Sequence, residues 1–64
     1  MFTGKMREQI AVELKSNTFE NVKVNVLPIG ETCVAFKGID GNYQAYFKTE
    51  TQQLVSLMQV SKLK

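Results

Sequence analysis

At 64 residues, with one cysteine and no histidine, the chain is long enough for one small domain and too poor in ligands for a zinc finger or a disulfide framework. A hydrophobic share of 44% against 22% charged argues against intrinsic disorder, and a net charge of +2 is too weak to establish an anionic partner by itself. No apolar run approaches the roughly 20 residues of a membrane span, and the opening MFTGKMREQI lacks the apolar block of a signal peptide. A cytoplasmic, reducing setting is therefore expected, with Cys33 a free thiol.

There is no repeat, linker or low-complexity stretch, so residues 1–64 read as a single domain, and the initial methionine suggests a whole chain. A domain of this size buries only about 60% of its unfolded surface and is marginally stable. With disulfides and metals discounted as supports, association with a second copy or another protein is the one that composition leaves.

From Thr3 to Ser16, Met6, Ile10 and Leu14 recur every four positions with Ala11 beside them, and Phe2 extends the ridge. That spacing predicts a helix with Thr3 as N-cap and Asn17 as its left-handed terminator. Val12 points off the ridge. From Phe19 to Leu27 the period becomes two: Val22, Val24 and Val26 alternate with Lys23 and Asn25, the pattern of a strand covered on one side. LPIGE then predicts a three-residue hairpin loop, with Gly30 left-handed and Leu27 opposite Glu31. The implied register sets Val26 by Thr32, Val24 by Val34 and Val22 by Phe36.

Asp40 and Gly41 predict a two-residue turn that pairs Phe36 with Ala45 and Val34 with Phe47. A loop from Gly38 to Gly41 would pair Phe36 with Tyr43 and Val34 with Ala45 instead. Both registers put Val34, Phe36, Tyr43, Ala45 and Phe47 on the inner face. Thr49 and Gln52 form a T-x-x-Q capping box before Leu54, Val55, Leu57 and Met58, which predicts a second helix with Lys62 and Lys64 at its C-terminus. The two-residue alternation within SLMQVSKLK leaves a strand as the alternative for residues 58–63. The expected fold is α+β: a three-stranded antiparallel meander with an N-terminal and a C-terminal helix on one face (αβββα). That order is similar to that of double-stranded-RNA-binding domains, although TETQQL stands where their second helix carries lysines.

The same parity turns Lys23, Asn25, Cys33, Ala35, Lys37, Gln44, Tyr46 and Lys48 to the other face, while Glu20, Glu31, Asp40 and Glu50 are expected at strand ends or in turns. Lys23, Asn25, Lys37, Gln44, Tyr46 and Lys48 are the candidate binding residues. A solvated sheet face needs the same residue types merely to stay in water. Two functional readings stand beside that one. A modestly apolar centre with a lysine rim is the anatomy of a protein contact surface; lysines around a tyrosine can also hold single-stranded nucleic acid. A third reading has the exposed edge of the first or third strand accept a strand from another protein. Val12, Val60 and Leu63, projecting from the helices, offer a further apolar surface.

Catalysis is not expected: there is no histidine base, the carboxylates are dispersed, and Cys33 has no activating partner. GKMRE and GIDGN lack the spacing and context of phosphate loops. No metal site and no cofactor are expected. The sequence thus reads as a small intracellular binding or regulatory protein that does not work alone, with itself or another protein as partner and nucleic acid as the alternative.

Overall fold

The computed structural model describes residues 1–62 and contains one helix, α1 (Gly4–Leu14), followed by four strands: β1 (Glu20–Val26), β2 (Glu31–Gly38), β3 (Gly41–Lys48) and β4 (Leu54–Lys62). The strands form one antiparallel meander in the order β1-β2-β3-β4, with α1 against one face. The expected C-terminal helix is absent; its residues are β4 as far as Lys62, and Leu63 and Lys64 lie outside the described residues. The topological likeness to double-stranded-RNA-binding domains goes with that helix.

The reason lies in the register of β4. Phe47 pairs with Leu54 and Tyr46 with Ser56, so Val55 is an extra residue; Asn42 pairs with Ser61 and Tyr43 with Gln59, so Val60 is another. These two β-bulges space the core-facing side of β4 as Leu54, Leu57 and Gln59, and a step of three between leucines imitates a helical period. The capping-box residues serve a turn. Gln52 adopts a left-handed backbone (φ 61°) and donates its N–H to Lys48 O at 2.7 Å. The Thr49 hydroxyl bonds that of buried Thr32 at 2.8 Å, and the Thr49 N–H reaches Gly30 O at 3.0 Å.

Helix α1 begins as expected, the Thr3 hydroxyl accepting from Met6 N at 3.3 Å. It ends earlier than expected, because Lys15, not Asn17, takes the left-handed position (φ 54°) and donates to Ala11 O. Met6 and Ile10 are buried and Leu14 half-buried, so the four-residue ridge faces the sheet, while Val12 is exposed.

The first hairpin has the expected three-residue loop: Leu27 N donates to Glu31 O at 2.7 Å, Gly30 has φ 82°, and Val24 and Val26 pair with Val34 and Thr32. The second departs from the Asp40-Gly41 turn. Gly38 pairs with Gly41, so the turn residues are Ile39 and Asp40, and Phe36 pairs with Tyr43 and Val34 with Ala45. Gly41 is not a turn residue but a point of close approach. Its φ is 143°, and a Cβ there would lie 2.1 Å from Ser61 O on β4.

The core consists of Met6, Ile10, Val34, Phe36, Tyr43, Ala45 and Phe47, the strand members being those that parity turned inward. An aromatic ladder flanks it: Phe2 to Phe19 at 5.5 Å between centroids, Phe19 to Phe36 at 5.1 Å, and Phe36 stacked on Tyr43 at 5.5 Å. The Arg7 guanidinium sits 5.0 Å over Phe19 and closes the ladder toward solvent. The opposite side of α1 is clasped to the start of β4. Lys5 Nζ donates to Thr51 O at 2.9 Å, and the Thr3 hydroxyl to Gln52 Oε1 at 2.8 Å. The Gln9 amide donates to Gln52 O at 2.7 Å and accepts from Leu54 N at 2.8 Å.

Candidate protein-contact face

One helix coats one side of the sheet, so the other side is open. Register fixes its pattern as cross-strand rows. At the middle of the sheet are Asn25, Cys33, Tyr46 and Ser56, then Lys23, Ala35, Gln44 and Met58. Toward the β2–β3 turn follow Glu20, Lys37, Asn42 and Ser61; toward the other end, Glu31 pairs with Lys48. All six candidate residues, Lys23, Asn25, Lys37, Gln44, Tyr46 and Lys48, therefore share this face. Lys23, Asn25 and Lys48 are exposed, whereas Lys37, Gln44 and Tyr46 are half-buried by their neighbours.

Three features of the face differ from expectation. Glu31 lies two residues before Cys33 in the same strand and so shares its side, opposite Lys48; the alternation rule alone would have placed it. Glu20 stands opposite Lys37 across a bulge in β1, where Asn21 has φ 54°; nothing in the local sequence announces that bulge. Met58, half exposed, joins the face only because β4 is a strand. Two of the three lysines thus have a carboxylate as cross-strand neighbour, which lowers the positive potential that a polyanion would meet.

Cys33, Ala35, Tyr46 and Met58 form a belt of small, aromatic and thioether groups across β2, β3 and β4. Tyr46 and Cys33 are cross-strand partners, and contact with the thiol holds the phenol pKa above its usual value, with loss of water and the Glu31 carboxylate adding to the shift. Over Ala35 the face dips into a hollow of about 240 Å³, bordered by Asn21, Lys23, Lys37, Gln44 and Val60. The Asn42 amide donates to the Ser61 hydroxyl at 2.9 Å at the margin.

A larger cavity of about 590 Å³ lies between α1 and the start of β4, beside Lys5, Gln9, Val12 and Leu54. Lys5 and Gln9 there take part in the clasp, and the Glu8 and Glu13 carboxylates also line the cavity, so it is a seam of the fold. The edge reading also changes. β3 is an interior strand; the edges are β1 and β4, and both are bulged, a device that opposes strand addition.

Among the described residues, no group of three or more His, Cys, Asp or Glu side chains stands together, and no helix is long and apolar enough to cross a membrane. No family model, curated protein or solved structure gives a significant match to the chain.

Proposed function

We propose that this protein is a small, non-enzymatic binding protein, an accessory or regulatory component of the cytoplasm, which acts through protein–protein contacts on its open sheet face and takes a copy of itself among its partners. The observation that carries the reading is the belt of Cys33, Ala35, Tyr46 and Met58 within a border of Lys23, Asn25, Lys37, Gln44 and Lys48. Aromatic and methionine side chains at the centre with a polar rim favour contact with another protein surface. The bulged edges favour the face over the edges as the place of contact. The absence of histidine from the sequence and the dispersed carboxylates support a binding role over a catalytic one.

The test is sedimentation velocity at about ten to a hundred micromolar, a range in which weak association is visible, together with pull-downs that compare wild type with Tyr46→Asp. Concentration-dependent association, or retention of a protein lost in the variant, is the expected result. A strict monomer whose pull-down is indistinguishable from that of Tyr46→Asp removes the reading.

Nucleic acid is the second reading, favoured by Lys23, Lys37 and Lys48 surrounding Tyr46 on one face, and opposed by Glu20 and Glu31 in the same rows. Fluorescence anisotropy with single- and double-stranded oligonucleotides at low and moderate salt separates the two readings, because phosphate contacts weaken steeply with salt. No binding at low salt disposes of it.

A further inference from the structure

From the arrangement of charge on the open face we infer that its occupant is a second copy of this chain, packed sheet to sheet about a two-fold axis that runs parallel to the strands between β2 and β3. The inference rests on the open face being the contact surface, and adds which surface meets it and how.

Such an axis carries β2 of one copy onto β3 of the other and β1 onto β4, while each row keeps its level along the strands. The rows given by the register then decide whether the face tolerates itself. Glu31 meets the partner's Lys48, and Lys48 meets the partner's Glu31. Lys37 meets the partner's Asn42 and Glu20 the partner's Ser61; Lys23 lays its stem along the partner's Met58. No like charges face one another, and two opposite-charge contacts form at one end. At the centre Tyr46 covers the partner's Cys33 and is covered in return, a sulfur–aromatic contact repeated twice. This pattern is self-complementary in the sense that a two-fold interface requires. It gives the two sheets the nearly aligned orientation common in sandwiches.

Edge pairing, another way for two copies to join, meets a bulge on each edge strand. Four strands about 4.8 Å apart and seven residues deep present a flat area of roughly 450 Å². That is at the small end of specific interfaces, so association in the micromolar range is expected rather than an obligate dimer.

The arrangement predicts a result that few others would give. Glu31→Lys makes residues 31 and 48 both cationic, so two such copies repel; Lys48→Glu makes both anionic, with the same consequence. Mixed together, every cation meets an anion across the axis. In sedimentation equilibrium on full chains, each variant alone is expected to associate at least tenfold more weakly than wild type, and the equimolar mixture to return to within about threefold of it. The Glu31→Lys/Lys48→Glu double variant, which restores both contacts within one kind of chain, is expected to associate like wild type, and it answers the question even if a single variant folds poorly. A mixture no tighter than its components, with Tyr46→Asp still abolishing association, overturns the two-fold arrangement and leaves the open face as the contact surface. Rescue by mixing Glu31→Lys with Lys37→Glu instead also overturns it, since that is the signature of an axis at right angles to the strands. Association indifferent to Tyr46→Asp overturns the contact face itself. A wild-type monomer at several hundred micromolar overturns the second copy as occupant, and any captured protein lost with Tyr46→Asp then upholds the face alone.

Discussion

Gln9 does with a side chain what a neighbouring strand does with its backbone. Its amide offers one acceptor to Leu54 N and one donor to Gln52 O, at the point where the chain leaves the β3–β4 loop and β4 begins. Gln9→Ala leaves both backbone groups without that partner, and about 1–3 kcal/mol of stability is expected to be lost for a part-buried polar group left unsatisfied. Urea unfolding measures this, and a loss within error of zero would mean that water replaces the amide. Tyr43 holds the other end of the sheet, its hydroxyl donating to the Asp40 carboxylate in the turn. That bond raises the phenol pKa above 10.0, with burial and the Asp40 charge adding to it. A group whose pKa is raised on folding contributes stability that is complete below the unfolded pKa and disappears as pH climbs through the folded value. The melting temperature is therefore expected to fall above about pH 10, the usual tyrosine pKa, and Tyr43→Phe is expected to lower stability at neutral pH while flattening that alkaline decline. An alkaline profile unchanged in the variant would place the lost stability elsewhere.

Among the elements, β4 shows why alternation was decisive for β2 and β3 and misleading where a strand is bulged, as it also is in β1, where the bulge between Glu20 and Lys23 sets aside the expected Val22–Phe36 pair. In β2 and β3 every second residue is buried without interruption, from Thr32 to Gly38 and from Gly41 to Phe47, so parity alone orders both faces. The six candidate residues of the open face follow from the same rule, and so could Glu31. In β4 the extra residues Val55 and Val60 break the count, and Leu54, Leu57 and Gln59 look like a helical stripe. The T-x-x-Q signal misled for a related reason: hydrogen-bonding side chains that cap a helix also stabilise a turn, and the choice depended on Thr32 and Gly30, which are distant in sequence. Gly41 had a local signal of the wrong meaning, since its Asp-Gly step suggested a turn while its role is to let β4 pass close by. Gly41→Ala must change both a backbone angle and the contact with Ser61, and strain of this kind costs on the order of 1–3 kcal/mol. Chemical denaturation should show at least that loss, and Asp40→Asn, which spares the backbone, should not reproduce its steric part. Deleting Val55 is expected to be milder, because it removes the extra residue of the bulge and leaves Leu54, Ser56 and Leu57 opposite Phe47, Tyr46 and Ala45 in unbroken alternation; a retained folded circular dichroism signal is the expected observation, and its loss would show that the bulge itself is required for β4 to pair.

For the molecule as a whole, the sheet has a single coat, and much of its stability depends on two side chains of that coat, Met6 and Ile10. Removing most of a buried isoleucine costs about 2–5 kcal/mol, comparable to the few kcal/mol available to a domain this small. Ile10→Ala is accordingly expected to leave the chain largely unfolded at 37 °C, whereas Val12→Ala, on the exposed side of the same helix, should melt within a few degrees of wild type. Equal effects would contradict the placement of α1. The clasp between residues 3–9 and 51–54 has a consequence for biosynthesis. At about 5–20 residues per second, α1 is synthesised seconds before the segment that clasps it. The first element to be made is thus among the last to be locked down: Met6 and Ile10 can pack on β2 and β3 beforehand, but the polar clasp through Gln9 closes once Leu54 is in place.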